Sequence, residues 1–329
     1  MTSRRAARPL LLSYRALGLG DLLTGIPALR ALGRAFPDCR HVLCAPAQLS
    51  PLVALVDGID AVSDTRPLAV PARELRAPAV AVNLHGRGPE SHRALQALAP
   101  QRLIAFDCPA AGHAGPAYDD DEHEVRRWCR LLEAGGIPAD PGDLDLRLPP
   151  GAARHGGEGA TVLHPGAANA ARRWPIARFA EVARRELRRG RRVLVTGSPD
   201  ERALGVELAE RAGLDPEAVL AGRTGLDELA GVIAGAGRVV CGDTGVGHLA
   251  TALGTPSLLL FGPTAPSRWG PPAARSQHVV LWAGREGDPH ADSPDAGLLE
   301  LDVERVDAAL QQLPGRRDAR PRRRGPTAA

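Results

Sequence analysis

Short apolar runs, each followed by a Gly-rich turn or an amphipathic stretch, recur along this chain in two series, and that alternation restricts its fold more than any other feature. The first series is "LLLSY" then "GDLLTGIPALRALGRAF", "HVLCA" then "LSPLVALV", "AVAVNLHG" then "ESHRALQALA", "RLIAF", and a helix near "HEVRRWCRLLEAG". The second runs from "TVLHPG" through a helix at about Ile176 to Arg189, "RVLVTGS", a helix in "ERALGVELAERAG", "AVLAG", "LDELAGVIAGAG", "RVVCGD", "HLATALG" and "SLLLFG". Strand-like runs alternating with helix-like ones predict parallel sheets with helices on both faces. Between the series, "GIPADPGDLDLRLPPGAARHGGEGA" is dense in Pro and Gly and reads as a hinge. We therefore expect two α/β domains, residues 1–148 and 149–313, with ligands bound in a cleft at the carboxyl ends of both sheets. "DVERVDAALQQL" predicts a last amphipathic helix, and residues 314–329 a basic, Pro-rich tail that does not fold alone.

Composition narrows the classes of function. Aromatic residues are only 3% of the 329, so both cores must be aliphatic, as covered parallel sheets usually are. No apolar run approaches the roughly 18 residues of a membrane span. The basic opening "MTSRRAARPLLLSYRALG" is broken by Arg15 and lacks a convincing cleavage site, so a cytoplasmic chain is expected. The Arg-rich tail could touch anionic headgroups at the inner membrane face, at about 1 kcal/mol per Arg; a solvated tail is the plainer reading. Five cysteines, Cys39, Cys44, Cys108, Cys129 and Cys241, form no C-x-x-C pair and predict neither disulfides nor zinc. All 41 basic residues are arginine, which excludes a Walker A, Schiff-base or pyridoxal-anchoring lysine. With 38 acidic residues as balance and no aromatic–basic interleaving, nucleic acid is not an expected partner.

"GDTGVG", between "GRVVC" and "HLATAL", is a strand-to-helix turn. The first turn of a helix carries unpaired N–H donors and the positive end of its dipole, a ready anion site. Gly242, Gly245 and Gly247 would allow close backbone approach and positive φ, while Thr244 adds a hydroxyl and His248 a ring N–H. A helix end contributes roughly 0.3 to 2 kcal/mol toward an anion and charge-assisted hydrogen bonds about 1.5 to 3 each, enough together to hold a diphosphate without lysine. Asp243 suits loop fixation or a sugar hydroxyl better than phosphate. A tight turn with a good helix start explains the loop equally well when it is taken alone.

The combined pattern resembles glycosyltransferase family 9, the bacterial heptosyltransferases of lipopolysaccharide core assembly. The resemblance rests on "GLGDLLTGIPALRAL", "LHPGAANAARRWPIARFAEVA" and "GDTGVGHLATALGTPSLLLFGPTAPSRWGP", in that order over nearly the whole chain. It implies a GT-B architecture, two Rossmann-like domains with the nucleotide-sugar on the second and the acceptor facing the first. It puts the general base at Asp21 and the donor phosphates at the loop around Gly166 and Ala167. Arg172 falls where the family often has lysine, Glu201 where a residue meets the ribose, and Thr224 in the base pocket. Asp243, Thr244, Gly245 and His248 match the loop around diphosphate and sugar.

The implied chemistry breaks a C–O bond as negative charge builds on the departing diphosphate. A helix N-terminus with Arg172 could receive that charge by preorganised electrostatics, so neither a metal nor another cofactor is expected. Asp21 would take the acceptor proton, consistent with inversion; it could equally cap a helix beginning at Leu22. Other signals are weaker. "GLGDLLTG" lacks the last glycine of a dinucleotide fingerprint, having Leu23 there, and "YDDDEHEVRRW" reads as acids complementing a helix start rather than as metal ligands. "NLHGRGPESHR" places Asn83, His85, Arg87 and His92 after a strand, and acceptor contact is expected there from Asn83, His85 and Arg87. Trp174 and Trp269 are expected to anchor loops. The leading function is an inverting transferase moving a sugar, heptose by family, from ADP-heptose to a cell-envelope glycan or glycolipid. A sugar-nucleotide epimerase of the same fold and a non-catalytic nucleotide-sugar sensor stand as alternatives.

Overall fold

The computed structural model describes residues 8–149 and 156–314. The chain divides into two compact units, one holding the chain to Arg147 with Ser267–Trp269, the other Leu148–Pro266 and the chain from Gly270 on. The basic tail expected over 314–329 lies, beyond its first residue, outside the described residues.

The first unit contains β1 (Leu10–Tyr14), β2 (Arg40–Ala45), β3 (Ala61–Asp64), β4 (Val80–Asn83) and β5 (Arg102–Ile104), in the spatial order β3-β2-β1-β4-β5. All neighbours are parallel, with Leu12 of β1 opposite Val42 and Ala81. The second unit contains β6 (Thr161–His164), β7 (Val193–Val195), β8 (Arg238–Gly242), β9 (Ser257–Leu260) and β10 (His278–Leu281), again parallel and ordered β10-β9-β8-β6-β7. β4, β6, β7 and β9 are buried along their whole length, as strands covered on both faces must be. Two expectations change. "AVLAG" contributes only an isolated bridge, Val195 to Val219; β3 and β10, short edge strands without the strong apolar signal of the centre, complete the sheets instead.

In both sheets the connections leave in opposite directions from two adjacent strands, β1 and β4 in the first and β6 and β8 in the second. A crevice opens outside the carboxyl ends of strands at such a reversal. The segments following these four strands are thereby marked: Arg15–Asp21, Leu84–Arg87, Pro165–Arg172 and Asp243–His248.

The cores are aliphatic with a few large anchors. Trp174 is 1% exposed, donates Nε1 to the Leu301 carbonyl at 2.8 Å and meets Phe179 edge-on at 5.0 Å, confirming its packing role. The five cysteines are free thiols, four of them buried.

Candidate functional site

In the first unit, the helix Leu19–Ala35 follows β1 directly. It starts three residues before the expected Leu22, so Asp21 is not its N-cap but its third residue, and the carboxylate reaches back to the Gly18 N–H at 3.3 Å. Beneath it lies Arg15, a guanidinium only 1% exposed. Arg15 Nη2 is 3.5 Å from Asp21 Oδ1 and 2.9 Å from Glu124 Oε1, and its Nε donates to the Asp21 carbonyl. Glu124 also pairs with Arg127 and accepts Trp128 Nε1 at 2.8 Å. Burial raises the Asp21 pKa, Arg15 opposes this, and Glu124 adds to the rise. Burial would raise Glu124 likewise, but the Arg15 charge and its hydrogen bond outweigh it and hold that carboxyl below its ordinary value.

Arg15 and Glu124 were not singled out by sequence. Arg15 read only as a break in an apolar run and Glu124 as a helix-start acid; nothing local signals that residues so far apart meet.

After β4, the expected acceptor residues separate. Asn83 is fully buried. Its amide faces Ser91 Oγ at 3.0 Å and His92 Nδ1 at 3.1 Å, while Oδ1 accepts the His85 N–H at 3.0 Å. Asn83 therefore organises the loop from inside and is withdrawn as an acceptor contact, because its polar atoms are engaged and it has no surface. His85 stacks against Tyr14 at 5.0 Å, and burial with the Arg15 charge brings its pKa down to about 4. Arg87 is exposed and paired with Asp120 at 3.0 Å.

In the second unit, the loop after β6 and the turn after β8 come together. Arg172 Nη1 lies 3.9 Å from Asp243 Oδ2, and a Cβ on Gly242 would stand 2.8 Å from the Arg172 carbonyl oxygen. A Cβ on Gly166 would collide with the Glu201 carboxylate, so these two expected residues are also neighbours. Glu201 Oε2 accepts the Ser198 N–H at 2.8 Å and is 4.0 Å from His164 Nε2. Ala167 is buried, with its carbonyl holding Arg173 Nε at 2.9 Å. Thr224 stands just before the helix Leu226–Gly235.

Thr244 is the N-cap of the helix Gly245–Ala252, which carries His248 in its first turn. Its hydroxyl is buried beside the Cys241 thiol and has no other hydrogen-bond partner among the described residues; Arg172 Nε is also buried without one. Unpaired buried polar atoms are rare and costly, and a helix N-terminus favours negative charge; Arg30 Nε, His85 Nδ1 and His278 Nε2 are likewise buried without a partner among the described residues. The glycines serve differently from expectation: Gly242, Gly245 and Gly247 are not among the positive-φ residues, and Gly242 and Gly247 are required by close packing instead.

Burial pushes the Asp243 carboxyl up to about 6 against the pull of Arg172. Because the folded value exceeds the ordinary 3.8, its contribution to stability is fully present below pH 4 and lost as pH rises through about 6. Ionised, this group costs the fold on the order of 3 kcal/mol. Asp243→Asn is expected to melt higher than the parent at pH 8 and to lose that advantage at pH 4. Parallel melting curves at the two pH values check it, and an equal difference at both would refute the assignment.

Among the described residues no group of three or more His, Cys, Asp or Glu is placed to hold a metal ion, and no helix is long and apolar enough to cross a membrane.

The sequence profile of glycosyltransferase family 9 (heptosyltransferase) matches residues 114–295. Lipopolysaccharide heptosyltransferase 1 of Pseudomonas aeruginosa is 40% identical over 153 residues, 45% of this chain and 42% of that protein. Lipopolysaccharide heptosyltransferase 2 of Escherichia coli is 31% identical over 150 residues, covering 44% and 43%. The chain thus aligns with less than half the length of either relative. The structure of the Escherichia coli ADP-heptose lipopolysaccharide heptosyltransferase II superposes with a TM-score of 0.75 at 21% identity, over 92% of this chain and 98% of that one. The two parallel-sheet units are those of a GT-B architecture.

Proposed function

The chain belongs to glycosyltransferase family 9, and from that premise we propose that it is an inverting glycosyltransferase moving heptose from ADP-heptose to a cell-envelope glycan or glycolipid. The observation that carries the donor half is Arg172 standing beside Asp243, immediately before the Thr244 N-cap of Gly245–Ala252, with its Nε buried and without a hydrogen-bond partner among the described residues.

The reaction breaks the bond between the anomeric carbon and the diphosphate oxygen, and the departing electron pair stays on the diphosphate. The helix N-terminus, Thr244 and Arg172 receive that charge. An acceptor hydroxyl attacks the opposite face of the anomeric carbon, which inverts it, and Asp21 takes the hydroxyl proton. Glu201 would meet the ribose, His248 and Asp243 the sugar side, Gly166 and Ala167 the phosphates, and Thr224 the base. Arginine in place of the family's usual lysine brings a planar, multi-donor group, suited to bridging two phosphate oxygens. His85 and Arg87 remain the acceptor-side residues. The reaction takes place on the cytoplasmic side of the envelope, with the Arg-rich tail as a contact for anionic headgroups.

Nucleotide diphosphates test the donor assignment directly. ADP is expected to bind the full chain more tightly than UDP or GDP in calorimetric titration. Arg172→Ala should weaken ADP by roughly 10- to 100-fold, the effect of losing one charge-assisted contact. No ADP binding, or an unchanged Kd in Arg172→Ala, would sink the reading. An epimerase or a sensor would bind nucleotide but transfer nothing to an acceptor.

A further inference from the structure

A carboxylate beside a buried guanidinium is normally a poor base, because the positive charge favours its ionised form and weakens its hold on a proton. The Asp21 environment avoids this in its geometry. The same Arg15 Nη2 is nearer to Glu124 Oε1, at 2.9 Å, than to Asp21 Oδ1, at 3.5 Å. The other Arg15 donors go to uncharged oxygens: Nε to the Asp21 carbonyl, Nη1 to the Leu84 carbonyl, and Nη2 also to Thr24 Oγ1 at 3.1 Å. Trp128 closes one face of the guanidinium, 4.8 Å from ring to cation, and holds Glu124 through its indole N–H. Gly25 makes room on the helix, where an added Cβ would lie 3.0 Å from Arg15 Cδ. The segments after β1 and β4 are thus tied to the first turn of Leu19–Ala35 by one side chain whose charge is met elsewhere.

We propose that Arg15 and Glu124 are positioning residues for Asp21: the guanidinium fixes the backbone and carboxylate of Asp21, and Glu124 neutralises the guanidinium that does so. This rests on Asp21 acting as the base. The other titratable groups facing the cluster are few. Arg127 holds the far oxygen of Glu124, Tyr118 lies under Arg127 with its phenol pushed up mainly by burial, and His85 approaches Arg15 as a neutral imidazole. None of these stands between Arg15 and Asp21 in the hydrogen-bond network.

The test is the pH–rate profile of the full chain carrying Glu124→Gln, at saturating donor and acceptor, with the ADP Kd measured in parallel. Gln keeps an oxygen for Trp128 and Arg15 but returns the Arg15 charge to Asp21. The acid limb should move down by about one pH unit, and the plateau should fall by up to about tenfold, with ADP affinity unchanged. A lower plateau with the acid limb in place, or no change, overturns the proposal. Should the variant fail to fold, carbon-13 NMR of the unaltered protein decides: Asp21 is expected to titrate above Glu124, and the reverse order overturns it. Asp21→Asn separates the two levels. If that variant transfers normally the base reading has failed, and the NMR order still shows whether Glu124 takes up the Arg15 charge; if it is inactive while Glu124→Gln keeps the parental profile, only the positioning proposal has failed.

Discussion

Asp21→Asn is expected to reduce sugar transfer by roughly 10²- to 10⁴-fold, the usual range for removing a general base, while leaving the ADP Kd unchanged. Asn retains an oxygen for the Gly18 N–H, so the start of Leu19–Ala35 keeps its back-bond; its amide nitrogen then turns toward Arg15, which keeps Glu124 as its charge partner and the Asp21 and Leu84 carbonyls as acceptors. The fold should not suffer either. Burial raises the Asp21 pKa in the folded state, so its stability contribution is present in acid and lost as pH rises; removing the charge at pH 8 is neutral or favourable. The expected signature is therefore a protein that melts no lower than the parent, binds ADP as before and transfers almost nothing. Transfer at the parental rate would remove Asp21 from the mechanism and leave its capping role as the whole explanation.

The largest stability effect is expected from Arg15→Ala. Removal strands the Glu124 carboxylate, only 4% exposed as a residue, with Arg127 as its remaining ion-pair partner, and takes the donors from the Leu84 and Asp21 carbonyls. Breaking a buried pair from one side costs about 3 to 5 kcal/mol, a fall in Tm on the order of 6 to 20 °C for a unit of this size. The pH dependence follows from the sign of the Glu124 shift. Its folded pKa is depressed, so the pair stabilises above the ordinary carboxylate pKa and the contribution disappears as pH falls through the folded value. Parent and variant should differ most near neutrality and converge in acid. Coincident melting curves at pH 7 would show that the pair holds nothing together.

Much of the fold was legible locally. β1, β2, β4 and β6 to β9 are short apolar runs ended by Gly or polar turns, and period and punctuation suffice to find them. β3 and β10 escaped because their runs are only partly covered and carry polar residues, whereas β5 and β7, edge strands as well, are marked by "RLIAF" and "RVLVTGS". "AVLAG" shows the opposite error: its composition suits a strand, yet its first residue closes the 3-10 turn Pro216–Ala218 and only Val219 pairs, in a single bridge to Val195. At the site, the strand-to-helix turn pointed to Asp243 and Thr244, and the family resemblance implied Arg172, which stands beside Asp243, and Gly166 and Glu201, which are neighbours. Asn83 was misjudged because its type and position suggested a ligand contact while its burial, invisible in sequence, assigns its hydrogen bonds inward.

What the sequence determined alone is what depends on neighbours within a turn or two of chain: the two alternating series, the strand-to-helix turns, and, with lysine absent, arginine as the side-chain cation available to any site. What only the tertiary structure decided is which distant side chains share a site and what charge they carry there. Arg15 and Glu124 are 109 positions apart, and it is the packing of the helix Glu124–Ala134 against Leu19–Ala35 that brings Glu124 to Arg15 beside Asp21. The physical reason is that burial and Coulomb interactions act through space over a few ångströms, so the basicity of a carboxylate belongs to the packed environment and not to the motif that contains it.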